Sequence, residues 1–364
     1  MASGPFSVLV INPGATSTKV AVFRDEEKIL QELIEHCYDG LEKYAKLLDQ
    51  EPYRKGLVLK TLALAGIGID TFDAVVGRGG MLAPMPGGTY EVNETMMDTA
   101  RNARYGEHAS NLGCLLAHDF AEMAGCRAYI VDAVSTDELD EVARISGIKE
   151  LSRVSLFHAL NHKAVARQVS RELGKPYEAL RLVVAHMGTG ISVGAHVGGR
   201  IVDVFDPMNE GAFSGDRSGA LPVRFLINMC FSGEYTHKQM LKKVNGEGGM
   251  AGYLGTKDLR TAWDRAKKGD AYAHLILRAL AYQIAKDIGA MATVCEGRLD
   301  AIILTGGMAY SPSLVKLIRD RVEFLAPIKM YPGEEEMDSL AAGALRVLRG
   351  EEVAGVYADP KKKD

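Results

Sequence analysis

VLVINPGATSTK (Val8–Lys19) is an apolar, β-rich run that breaks into a small, hydroxyl-bearing turn containing glycine. LVVAHMGTGISVGAHV (Leu182–Val197) repeats that pattern. Laid together, Val8–Ile11 matches Leu182–Ala185, Asn12 matches His186 and Gly14 matches Gly188, an offset of 174 residues in a chain of 364. A half-length offset is what two related domains produce. Such turns leave backbone N–H groups uncovered, which suits phosphate oxygens. Asn12, Thr16, Ser17 and Lys19 add side-chain donors to the first turn. One turn of this kind by itself reads better as a plain β-hairpin. A third turn, Gly306-Gly307, follows the strand-like DAIILT (Asp300–Thr305) and precedes Ser311-Pro312, a strong helix start. Three such turns together shift the reading toward a nucleotide.

Strand-like and helix-like stretches alternate along the chain, the pattern of an α/β fold. A helix is predicted over 109–124, with Leu112, Leu115, Leu116, Phe120 and Met123 on one stripe and Gly125 as its stop. A strand is expected over 128–134, ending at Asp132, and a second helix over 155–173, closed by Gly174 and Pro176. The segment 359–364, with three lysines, reads as a frayed end.

Composition narrows the function classes. The 43 Lys and Arg against 47 Asp and Glu give a net charge of −4, which argues against a nucleic-acid coat or a polybasic membrane binder. Cys37, Cys114, Cys126, Cys230 and Cys295 are scattered and odd in number, so reduced, buried thiols are expected. No signal peptide is visible, and the longest apolar candidate span, 275–294, carries Arg278, Lys286 and Asp287. A cytoplasmic protein is expected.

Familiar phosphate and metal motifs fail. No GxxxxGK[ST] string occurs, and Gly188-Thr-Gly190-Ile-Ser-Val-Gly194 misses GxGxxG by one residue, with a strand-like run following. His158 and His162 share a helix face, but Ala159 stands where a zincin needs glutamate. Two polar residues of a half-buried helix are the plainer reading, with one catalytic histidine left open. Arg78 (VVGRGG) and Arg217 (SGDRSG) differ from ordinary surface arginines, because flanking glycines let an anion reach both guanidinium and backbone. Asp132 and the run Glu334–Glu336 are candidate Mg²⁺ ligands or, equally, solvated turns.

The chain resembles the acetate kinase family, and within it the butyrate kinases, of the sugar-kinase, Hsp70 and actin superfamily. The resemblance rests on VLVINPGATSTK, AVVGRGG (Ala74–Gly80), SLFHALNHK (Ser155–Lys163), VAHMGTGISV (Val184–Val193), FSGDRSGALP (Phe213–Pro222), GMAGYLGTKDLR (Gly249–Arg260), DAIILTGGMAYS (Asp300–Ser311) and YPGEEEMDSLAAGAL (Tyr331–Leu345). It implies two duplicated ribonuclease-H-like (actin-like ATPase) domains with ATP in the cleft between them. The first would span 1–152 with 338–364, the second 153–337. Carried over to this sequence, Asn12, Ser17 and Lys19 match the first phosphate turn, and His186, Gly188, Thr189 and Gly190 the second. Asp258, Arg260, Gly306, Gly307 and Met308 match adenosine-binding stretches. Arg78 and Arg217 match the two catalytic arginines and His158 the histidine near the transferred phosphoryl group. Asn12, Asp132 and Glu335 match the Mg²⁺ site, with Glu336 able to trade places with Glu335. Acetate kinases carry HRVVHGG and HLGNG where this chain has VVGRGG and HMGTG, and the histidine expected before Asn111-Leu112 is displaced to His108.

The activity implied is reversible, in-line transfer of the ATP γ-phosphoryl group to a short carboxylate, butyrate first. Isobutyrate, propionate or acetate are alternative acceptors, and an ATP-gated binding protein is the alternative from another class. Gly79 and Gly80 are expected to widen an acyl pocket walled by Phe157 and Pro207. The family also implies at least a dimer.

Overall fold

The computed structural model describes residues 4–36, 41, 44 and 46–361. Cys37 and the last three residues of the basic tail lie outside them. The chain forms two compact units, residues 1–137 with 335–364 and residues 138–334, so it divides at 137/138 where the sequence reading had 152/153.

In the first unit β1 (Ser7–Pro13), β2 (Ser17–Arg24) and β3 (Glu27–Glu35) form an antiparallel meander. Beside it run β4 (Ala74–Arg78), β5 (Thr89–Glu91) and β6 (Arg127–Val131), and the seven-stranded sheet is completed by the short strand Gly355–Val356. From the meander inward the order is β3, β2, β1, β4, β6, with β1, β4 and β6 parallel. The second unit repeats this: β7 (Arg181–Met187), β8 (Ile191–Val197) and β9 (Arg200–Phe205) form the meander, and β10 (Ala301–Gly306) and β11 (Ile328–Pro332) the parallel continuation. The sequence echo is therefore a duplicated α/β sheet.

Strands covered on both faces by helices read as continuous apolar runs. On β7, Val183, Ala185 and Met187 join the core beneath helix Ala271–Val294, while Leu182 and Val184 pack with Val165, Ala166 and Val169 of helix Ala159–Leu173. On β1, Leu9 and Ile11 join Leu112, Leu115, Leu116 and Phe120 of helix Asn111–Ala124. That helix approaches β4 so closely that a Cβ on Gly77 would lie 2.0 Å from the Gly113 carbonyl oxygen.

Local expectations shift at their edges. The predicted helices begin at Asn111 and Ala159, two and four residues late, and both close on left-handed glycines, Gly125 and Gly174. Met123 faces solvent, off the stripe assigned to it. The first turn is shorter than expected: Asn12 still belongs to β1, and Ser17 and Lys19 already belong to β2. Of the described cysteines, all free, Cys230 is exposed where burial was expected. The tail is anchored at Asp359, which is buried and accepts hydrogen bonds from Arg104 (2.8 Å), Tyr105 (2.8 Å) and Thr99 (3.0 Å).

Candidate active site

Ligands of parallel α/β sheets sit outside the carboxyl ends of the strands. In the first unit those ends carry Asn12 (β1), Arg78 (β4) and Asp132 (just after β6). Asn12 and Arg78 converge on one carboxylate. Asn12 Nδ2 donates to Glu336 Oε2 at 2.7 Å, Arg78 Nη1 donates to Glu336 Oε1, and Lys19 Nζ lies 3.7 Å from Oε2. The residue in this cluster is Glu336, not Glu335. Glu335 is exposed just before helix Glu336–Leu348, where its carbonyl accepts from Ser339. Asp132 is buried in a left-handed conformation (φ 39°), and its Oδ1 accepts from the Gly88 N–H at 2.8 Å. For a non-glycine residue that conformation is strained, and such strain clusters at functional positions. At His108, desolvation and then the nearby Arg78 charge hold the pKa below the ordinary histidine range.

The turn between β1 and β2 is held from behind by a residue the sequence reading missed. Arg54, fully buried, donates to the carbonyls of Gly14 (2.8 Å), Ser17 (3.0 Å) and Ala15 (3.2 Å), and to Thr18 and Gln50. Its carbonyl partners are drawn inward, away from any ligand on the outer side. Burial lowers its pKa to about 10, so it stays charged at neutral pH. The available signal was its place on the apolar stripe of helix Glu51–Leu64, in register with Val58 and Leu62.

In the second unit the turn Gly188–Gly190 leaves β7, and Arg217 lies over it. A Cβ on Gly190 would fall 2.2 Å from Arg217 Nη1, so the glycine is what admits the guanidinium. Arg217 Nη1 reaches the Pro207 carbonyl at 3.5 Å, and its Nε is buried without a hydrogen-bond partner. Beside the turn opens a pocket of about 890 Å³, lined by Gly188, Thr189, Asp258, Arg260, Gly307 and Met308 among others. That volume suits a nucleotide-sized ligand. Asp258 caps helix Leu259–Lys267, accepting from the Arg260 N–H at 2.7 Å. Its hydrogen bonds to the Arg260 side chain and to the helix N–H groups lower its pKa to about 2. Gly306 is required by close approach: a Cβ there would lie 2.5 Å from the Met187 carbonyl oxygen.

Histidines run inward from the same strand end. His186, fully buried, points Nδ1 at Asn161 Oδ1 (2.8 Å) and stacks on His158 at 3.9 Å. Its Nε2 lies 3.0 Å from Glu334 Oε1 without hydrogen-bond alignment. His162 is not at a half-buried surface but wholly enclosed, contacting Ser192 Oγ through Nε2 (3.0 Å) and His196 Nε2 through Nδ1 (3.3 Å). His196 in turn meets the Tyr177 hydroxyl at 2.8 Å. Burial pushes both rings well below the usual histidine range, so both are neutral at physiological pH.

Residues 145–335 match the Acetokinase family profile. The chain belongs to the acetokinase family. Butyrate kinases 1 and 2 of Clostridium acetobutylicum are 48% and 50% identical to it over 353 residues, spanning 97% of this chain and 99% of each relative. Among solved structures, Porphyromonas gingivalis acetate kinase superposes with a TM-score of 0.78 at 19% identity, covering 94% of this chain and 100% of its own. Entamoeba histolytica acetate kinase gives 0.75 at 17%, covering 93% and 99%. Both show the acetokinase fold, the duplicated actin-like ATPase architecture.

Within this acetokinase the expected pocket-widening glycines do something else. A Cβ on Gly79 would lie 2.5 Å from Ala133 Cβ, and one on Gly80 would lie 2.7 Å from Asn111 Cα. Their missing side chains make room for neighbouring atoms of Ala133 and Asn111. Phe157 is core, packed with Leu139, Ala159, Ile201 and Val204, its ring edge-on to His162 at 5.2 Å. Pro207 does stand beside the Gly190 turn, where a Cβ on Gly190 would come within 2.9 Å of it. Among the described residues no three His, Cys, Asp or Glu side chains gather as a metal site, and no helix is long and apolar enough to cross a membrane.

Proposed function

We propose that this acetokinase transfers the γ-phosphoryl group of ATP reversibly to butyrate, giving butyryl phosphate and ADP by direct in-line displacement. The observation that carries the acceptor is the end-to-end identity to two proteins named butyrate kinase. Butyric acid, with a pKa near ~4–5, is ionised at neutral pH, so the nucleophile needs no general base. The barrier lies in bringing one anion onto another, and positioned cations lower it.

Arg217 takes the transferring phosphoryl group in this reading. Its unpartnered Nε and its seat over Gly190 support that role. Arg78, which here donates to the Glu336 carboxylate, takes the substrate carboxylate. His158 donates to an equatorial phosphoryl oxygen. The turns at Gly14 and Gly188 receive phosphates, and the pocket lined by Asp258, Gly307 and Met308 receives the adenosine, so 138–334 is the nucleotide-binding unit.

Mg²⁺ takes one or two carboxylates with phosphate oxygens and water, so it needs no dense acidic cluster. Glu336 beside Asn12, with Asp132 two strands along, meets that requirement, and Glu336 replaces Glu335 in the assignment. When bound, the ion would offset phosphate charge.

We assign the protein to the cytoplasm and to a homo-oligomer. Support for the latter is helix Val223–Cys230, which has no buried residue and exposes Val223, Phe225 and Ile227 beside Phe231. ATP-dependent hydroxamate formation across acetate, propionate, butyrate and isobutyrate tests the activity. Highest kcat/KM for butyrate is expected; preference for acetate, or no acyl phosphate with any acid, overturns the reading.

A further inference from the structure

A line of side chains runs from the interior of the second unit to His158. The Tyr177 hydroxyl meets His196 Nδ1 (2.8 Å), and His196 Nε2 meets His162 Nδ1 (3.3 Å). His162 Nε2 then meets Ser192 Oγ (3.0 Å), and Ser192 Oγ meets His158 Nδ1 (2.9 Å). The His162 and His196 rings lie nearly parallel, 10° apart. A Cβ on Gly194 would press on His162 Nδ1 at 3.3 Å, so β8 is shaped around this line. The sequence singled out only His158 and His162 of this line as candidates; Tyr177, Ser192 and His196 have no place in the proposed chemistry.

A neutral imidazole carries one N–H and one acceptor nitrogen, so each ring passes on the direction of the bond it receives. The direction is set at the tyrosine. A phenol is a stronger acid than a neutral imidazole, so the hydroxyl donates to His196 Nδ1. The Lys163 ammonium, 5.6 Å above the Tyr177 ring and paired with Glu138 at 2.7 Å, draws electron density from the phenol and strengthens that donation. His196 must then donate from Nε2 to His162, His162 from Nε2 to Ser192, and the serine hydroxyl to His158 Nδ1. The proton of neutral His158 is left on Nε2.

We propose that Tyr177 and His196 are positioning residues that, through His162 and Ser192, hold His158 as the Nε2–H tautomer, ready to donate. The catalytic part of the proposal rests on the assignment of His158 to the transferred phosphoryl group; the tautomer part does not. The opposite polarity would present His158 Nε2 as an acceptor, which faces a phosphoryl oxygen with a lone pair.

The test is ring ¹⁵N NMR of the full chain labelled in histidine, with His158 assigned by loss of its signals in His158→Gln. The expected unsubstituted spectrum shows His158 as the Nε2–H tautomer, and Tyr177→Phe shifts it to a mixture. In the same variant kcat falls about tenfold while KM for ATP and butyrate stays within about twofold, a partial loss because a fraction of the donor tautomer remains in the mixture. His196→Gln, whose amide both donates and accepts, retains more activity than His196→Leu at equal Tm. An unchanged His158 tautomer in both Tyr177→Phe and His196→Leu overturns the proposal. A changed tautomer with unchanged kcat upholds the network and overturns the assignment of His158 to the phosphoryl group.

Discussion

Arg54 donates to the Gly14 carbonyl at 2.8 Å from the buried side of the β1–β2 turn. A fully buried guanidinium whose partners include three backbone carbonyls of one turn fixes the conformation of that turn. Arg54→Met should raise KM for ATP by roughly tenfold and destabilise the protein by about 2–4 kcal/mol, because carbonyls buried with it lose their donor. Steady-state kinetics beside urea unfolding reads both. An unchanged KM in folded variant would separate the turn from nucleotide binding.

Arg217 offers a cation to the Gly188–Gly190 turn without a carboxylate partner among the described residues. Arg217→Ala should lower kcat by roughly 10²–10³, the scale of losing one charge-stabilising donor. Nucleotide affinity by calorimetry should change far less. Equal losses in rate and affinity would make it a binding residue only.

Gly79 and Gly80 face packed protein. Gly80→Ala must push the backbone at Asn111, and overpacking of this kind costs ~1–3 kcal/mol. A lower Tm is expected, with the butyrate-to-acetate ratio of kcat/KM unchanged. A changed ratio at unchanged Tm would restore these glycines to the acyl pocket.

His36 sits behind the same turn as Arg54, its Nε2 on Thr18 Oγ1 at 2.9 Å and its Nδ1 buried without a partner. Burial, with the Arg54 charge, lowers its pKa to about 4 from an ordinary value of 6.5. Between those values the unfolded chain binds the proton and the folded chain does not, so stability falls as pH drops from 6.5 toward 4 and is level again below. The contribution is about 3 kcal/mol at full extent. His36→Gln should flatten the pH dependence of urea unfolding across that window; a slope identical to the parent would refute the assignment.

The proposed homo-oligomer is expected to cover the exposed Phe225, Ile227 and Phe231. Paired Phe225→Asp and Phe231→Asp substitutions should lower the sedimentation mass to that of one chain with secondary structure intact. An unchanged mass would exclude this face as the interface.

Sequence alone determined the architecture and marked candidate positions for the chemistry. Apolar runs ending in glycine turns, repeated 174 residues apart, identify a duplicated α/β sheet. Arg78 and Arg217 stand out because glycines flank them in the chain itself. Periodicity and turn composition are local properties, written within a few residues.

Tertiary structure decided which side chains meet. Asn12 bonds Glu336 across 324 residues, and only the phase of the helix beginning at Glu336 selects it over Glu335. Gly79 and Gly80 look permissive in sequence, yet Ala133 and Asn111 fill their space from other elements. Arg54 reads as an ordinary helix charge until the turn folds over it, and His196 as a strand residue until Tyr177 and His162 flank it. Hydrogen-bond direction and close packing depend on groups distant in the chain, and no local pattern records them.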